Sequence, residues 1–136
     1  MGVTTWLADK SALARIPHSR DSRVWAERID RGLVAVTTLT LLEIGYSTRS
    51  GTELREVLGQ PPVTLMPVDY LTPAIEARAV EVQTMLGDRG THRAPSVADL
   101  LIAAVAERTG RTVLHVDKDF ELIAGVTGQP MERLRI

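Results

Sequence analysis

The chain has 136 residues, 44% of them apolar and 24% charged, with a formal net charge of -1 and no cysteine. That length suits one domain, 1–136, around a single core, and the balance excludes a disordered chain. No apolar run reaches bilayer length, and the missing thiols exclude disulfides, thiolate metal sites and cysteine nucleophiles. The opening MGVTTWLADKSAL lacks the basic region and long apolar core of a secretory signal, so a cytoplasmic location is expected.

Short apolar runs alternate with helical patterns, which predicts an α/β domain with a central, mainly parallel sheet. Thr4 to Ala8 reads as a first strand, ending at Asp9, and Lys10 to Arg15 as a short helix. Asp21 or Ser22 can cap a second helix that turns Val24, Trp25 and Ile29 inward and stops at Gly32. Leu33 to Thr37 reads as the second strand, and Thr38 or Thr40 as the cap of a helix holding Leu41, Leu42, Glu43 and Ile44. A short helix follows Gly51 and breaks at Gly59 to Pro62, and Val63 to Val68 reads as a third strand. Thr72 and Pro73 suit the N-cap and first position of a helix that carries Ile75, Ala79, Val82 and Leu86 on one face and ends at Gly87. After a loop from Arg89 to Pro95, Ser96 caps a helix whose Leu100 to Ala106 run looks buried on most sides, and Gly110 closes it. Val113 to Val116 is the fourth strand, leading to Asp117. Phe120 to Ala124 is a short helix, and Met131 to Leu134 a last strand.

Four acids fall at comparable places in this pattern. Asp9 and Asp117 each follow a short apolar strand, Glu43 lies in the helix after the second strand, and Asp99 sits in the first turn of the most apolar helix. Ligands of open parallel sheets bind beyond the carboxyl ends of the strands, so these acids can meet at one edge. Two carboxylates about 5 Å apart repel by roughly 3 kcal/mol at an effective dielectric near 20, and a divalent cation relieves this far better than a helix N-terminus. Hard oxygen donors without cysteine or paired histidines favour Mg²⁺, with Mn²⁺ as the alternative, over zinc. Each acid also has a plainer role as a cap, a turn former or an exposed group. Glu43 inside LTLLEIG and Asp99 before LLIAAVA nonetheless stand beside core, where a charge needs a partner or a metal.

The sixteen basic residues comprise fourteen arginines and only two lysines. Arg15, His18, Arg20 and Arg23 cluster early, and Arg89, His92 and Arg93 cluster later. Such groups can contact phosphates, although a solvated surface is the plainer reading of either cluster.

The segments WLADKSAL, TTLTLLEIGYS, SVADLLIAAVAERTG and VLHVDKDFELIA, in this order and spacing, resemble the PIN-domain nucleases, and more narrowly the VapC toxins of bacterial toxin–antitoxin pairs. The resemblance runs from Trp6 to about Pro130. It implies a PIN-like three-layer α/β/α fold and a metal site made of Asp9, Glu43, Asp99 and Asp117. It also implies Mg²⁺-dependent hydrolysis of RNA to 5′-phosphate and 3′-hydroxyl products, a homodimer, and a cognate VapB-type antitoxin that covers the acidic groove.

Ser11 stands where the family often carries a hydroxyl residue; it can orient Asp9 or a metal-bound water, or simply cap the helix. Lys10 and His115 stand where the family often has hydroxyl residues, and Asp119 adds an acid beside the fourth position. Asp119 lies on the same face of an extended stretch as Asp117 and can share or replace it as a ligand. Lys10 and Lys118 each follow a candidate ligand and are candidate phosphate contacts or plain surface residues. His115 reads first as a packed histidine and second as a catalytic participant.

A haloacid-type phosphatase needs a second aspartate where Ser11 stands. A receiver-like signalling domain needs paired acids where Ala8 precedes Asp9. A PIN fold reduced to a binding module would have lost metal ligands, and none is lost. A housekeeping nuclease without a toxin role remains the alternative to a toxin.

Overall fold

The computed structural model describes residues 2–136. Five strands, β1 (Trp6–Ala8), β2 (Val34–Thr37), β3 (Val68–Asp69), β4 (Thr112–His115) and β5 (Met131–Arg133), form one sheet in the order β3-β2-β1-β4-β5. Every pairing is parallel, with Trp6 opposite Val34 and Thr112, Val36 opposite Val68, and Val113 opposite Met131. Seven helices accompany the sheet: α1 (Lys10–Arg15), α2 (Ser22–Asp30), α3 (Thr38–Tyr46), α4 (Gly51–Leu58), α5 (Pro73–Asp88), α6 (Val97–Thr109) and α7 (Asp119–Thr127).

Side chains of a strand alternate between faces, so the sheet splits its apolar residues into two cores. Leu7, Ala35 and Val113 face α5, α6 and α7, with Ile102, Phe120 and Ile123 fully buried among them. Trp6, Ala8, Val34, Val36 and Leu114 face the opposite way, onto Ala12 and Ile16 and onto Trp25 and Ile29 of α2. Covering both faces is what makes an all-parallel sheet stable, and each fully buried Leu, Ile, Val or Phe contributes about 1.5–3 kcal/mol. The result is the expected three-layer α/β/α arrangement. On the second face Trp6 and Trp25 meet edge to face with ring centres 5.2 Å apart, and the Arg28 guanidinium lies 4.4 Å from the centre of the Trp6 ring.

Several expected details differ. Val63 to Val68 is not a strand: Val63–Leu65 makes a 3₁₀ turn and only Val68–Asp69 pairs. Pro67 has no N–H to give, although its carbonyl accepts from Val36 N–H at 2.9 Å, so ladder formation starts after it. Val24 points outward at 43% exposure, because a helical step of one residue turns it away from the stripe of Trp25 and Ile29. Gly87 lies inside α5, which runs to Asp88; the left-handed turn is taken by Gly90 (φ +73°). The hydroxyl that caps α3 belongs to Thr37, which accepts from Thr40 N–H at 3.2 Å, and not to Thr38 or Thr40. Asp21 occupies the N-cap position of α2 without a capping bond, its carboxylate lying 3.6 Å from Arg135 instead.

Thr72 and Ser96 cap α5 and α6 as expected, Ile75, Ala79, Val82 and Leu86 are buried, and Gly110 ends α6 at φ +72°. Among the described residues no helix is long and apolar enough to cross a membrane.

Candidate metal centre

The carboxyl edge of the sheet gathers the acids. Asp9 leaves β1 directly: its N–H donates to the Leu114 carbonyl at 3.0 Å, which prolongs the pairing with β4, and its side chain caps α1. Oδ2 of Asp9 accepts from Ser11 N–H at 3.1 Å and from Ser11 Oγ at 2.5 Å, a short charge-assisted bond. Ser11 therefore holds Asp9, while Asp9 itself is the helix cap. Asp9 is only 7% exposed.

Asp99 is the third residue of α6 and half of a capping box. Its N–H donates to Ser96 Oγ at 3.0 Å, and its Oδ2 accepts from Ser96 N–H at 3.3 Å. The box fixes the carboxyl at the mouth of the helix, beside the turn after β4. In that turn Asp117 Oδ1 accepts from Asp119 N–H at 2.9 Å. Asp119 is not on an extended stretch with Asp117, as the sequence suggested, but is the first residue of α7. The turn nonetheless brings it in. Asp99, Asp117 and Asp119 each offer an oxygen, and these atoms all lie within 4.8 Å of one another.

Asp9 and Glu43 are not within that tight group, but they are electrically joined to it. Burial chiefly, then the charges of Asp9 and Asp117, push the Asp99 carboxyl up to about 6, against the opposing bonds from Ser96. Burial and then Asp9 likewise push Glu43 upward, with Lys10 pulling the other way. The Asp9 charge thus acts on both Glu43 and Asp99. Oε1 of Glu43 is buried without a protein partner. A buried carboxylate oxygen needs something to accept from or to ligate, and mutually repelling carboxylates need positive charge. Hard oxygens supplied by one histidine-free group of acids fit a divalent cation of the oxygen-preferring kind.

The flanking residues divide. Lys10 is half-buried and close enough to act on Glu43, whereas Lys118 is exposed in the turn. His115 ends β4 at 1% exposure, its ring centre 5.3 Å from that of Phe120. Burial first, then Arg133, hold its pKa below the usual histidine range, as expected for a neutral packed imidazole. Thr40, which the sequence offered only as a possible cap of α3, is fully buried one turn before Glu43.

Fold and site together define a class: an α/β domain whose parallel sheet carries, at its carboxyl edge, an acid cluster that could hold a metal ion. The chain belongs to the PIN-domain family, whose pattern it matches over residues 7–126. It is 59% identical to Ribonuclease VapC2 of Mycobacterium tuberculosis over 129 residues, covering 95% of this chain and 92% of that protein. It is 40% identical to Ribonuclease VapC21 of the same species over 96% of this chain and 94% of the other. Among solved structures the fold matches VapBC2 from Rickettsia felis bound to a DNA fragment from their promoter. The TM-score is 0.77 at 15% identity, covering 96% of this chain and 98% of that one.

Proposed function

We propose that this chain, working as one PIN domain, is a Mg²⁺-dependent endoribonuclease and the toxin of a VapBC-type toxin–antitoxin pair. The observation that carries the reading is the convergence of Asp99, Asp117 and Asp119 beside the buried Asp9, in a chain so similar to a VapC ribonuclease. Asp9, Glu43, Asp99 and Asp117 would hold the ion, with Asp119 sharing the fourth place. A Mg²⁺ ion held there supplies Lewis acidity, lowering the pKa of water and offsetting charge on the scissile phosphate.

The chain's own residues do the rest. Ser11 fixes the rotation of Asp9 by occupying Oδ2. The capping box fixes Asp99 in the same way. Lys10, beside Glu43, and Lys118, exposed in the turn after β4, are placed to meet phosphates flanking the cut. Asp99 and Glu43, both raised by burial and by Asp9, would hold an ion as carboxylates, which would couple affinity to pH. The protein acts in the cytoplasm, pairs with a second copy, and is silenced by a VapB-type antitoxin laid over the acidic edge.

The test is cleavage of RNA by purified protein with Mg²⁺. Products with 5′-phosphate and 3′-hydroxyl ends are expected, with activity lost on chelation. Asp9→Ala and Asp99→Ala should each abolish cleavage while circular dichroism shows the fold retained; undiminished activity in either variant overturns the site. Induced expression should arrest bacterial growth, and co-expressed antitoxin should relieve it. Normal growth alongside full nuclease activity would instead mark a housekeeping enzyme.

A further inference from the structure

Two buried oxygens on α3 lack a protein hydrogen-bond partner, Thr40 Oγ1 and Glu43 Oε1. Residues three apart on a helix share a face, so the hydroxyl and the carboxylate project to the same side, one turn apart. Thr40 is 0% exposed. Its own N–H is already committed to Thr37 Oγ1, which locks the first turn of α3 to the end of β2. A buried hydroxyl that neither donates nor accepts costs about 1–3 kcal/mol, and valine would fill the same volume without that cost. Packing therefore does not explain a threonine here. A hydroxyl can donate to one group and accept from another, and a carboxylate can only accept.

We propose that Thr40 is a positioning residue for Glu43: its hydroxyl donates to the Glu43 carboxylate, directly or through one shared water, and so aims that carboxylate at the metal. The role is that of the outer partner that orients a metal-binding carboxylate. The inference rests on the reading of Glu43 as a ligand given above.

The test compares Thr40→Val, Thr40→Ala and Thr40→Ser with wild type, using Mn²⁺ binding followed by electron paramagnetic resonance, RNA cleavage, and thermal melting. Loss of the hydroxyl in Thr40→Val and Thr40→Ala is expected to weaken Mn²⁺ binding on the order of tenfold and to lower kcat similarly, with KM for RNA little changed. Thr40→Ser should restore both. A Thr40→Val protein that melts at or above the wild-type temperature and matches it in Mn²⁺ affinity and kcat overturns the proposal alone. So does a Thr40→Ser protein that falls as far as Thr40→Val, since the methyl group would then be what matters. A wild type that neither binds Mn²⁺ nor cuts RNA overturns the reading of the site and this proposal with it.

Discussion

The carboxyl of Asp99 keeps its proton to about pH 6 in the folded chain, against an ordinary value of 3.8, because burial removes water and Asp9 and Asp117 add negative charge. Folded protein then binds more protons than unfolded protein between those two values. Asp99 therefore contributes most to the stability of the metal-free protein below about pH 4, and that contribution is lost as pH rises through about 6. Asp99→Asn keeps an oxygen to accept from Ser96 N–H but removes the titration. The variant should flatten this pH dependence, melt higher than wild type at pH 7.5 without metal, and show no cleavage. Thermal melts from pH 4 to 8 in chelator check it, and a melting temperature below wild type at pH 7.5 would count against the repulsion. Asp99 stood out in the sequence because a charge beside LLIAAVA needs a partner or a metal, although its place in a first helical turn also suits the capping role that the structure gives it. Thr40 was legible only as a possible helix cap, because threonine is a common cap residue and nothing local marks its hydroxyl as buried.

Helix α6 carries one of the acids and also the largest share of the apolar core between sheet and helices. Its capping box serves both ends of that bargain. Ser96→Ala should destabilise the protein by about 1 kcal/mol through the lost cap. Ser96 also holds the Asp99 pKa down, so the same change should move the pH midpoint of metal binding upward. Denaturation at fixed pH reads the first effect, and a pH series of Mn²⁺ titrations reads the second. The capped helices were the elements best foreseen: Thr72 with Pro73, and Ser96 three residues before Asp99, announce their N-termini by local hydrogen bonding alone. The stretch from Val63 to Val68 misled because its composition suits a strand while Pro67 denies it a ladder donor. The helix was expected to end at Gly87, but the left-handed turn belongs to Gly90, three residues further on.

Across the whole molecule the acidic edge is a destabilising feature tolerated by a well-packed interior. A cation that binds only the folded state raises stability by mass action, by about 2.7 kcal/mol at one hundred times its dissociation constant. Mg²⁺ should therefore raise the melting temperature, and chelation should lower it. In Asp9→Ala the Mg²⁺ response should shrink or vanish, which calorimetry with and without Mg²⁺ measures. A core change such as Ile102→Ala should cost about 2–5 kcal/mol through the cavity it leaves, without altering metal affinity once folded.

By itself the sequence determined the alternation of strands and helices, the caps of α5 and α6, and the candidacy of Asp9, Glu43, Asp99 and Asp117, since periodicity and local hydrogen bonding act within a few residues. The tertiary structure decided what depends on distant segments meeting. It chose which acids come within ligand distance, and it brought Asp119 in from the start of α7. It buried Glu43 and Asp99 within reach of the Asp9 charge, so that burial first and then repulsion raise both. Those energies depend on separation in space and on loss of water, and neither exists until the sheet has closed β1 between β2 and β4.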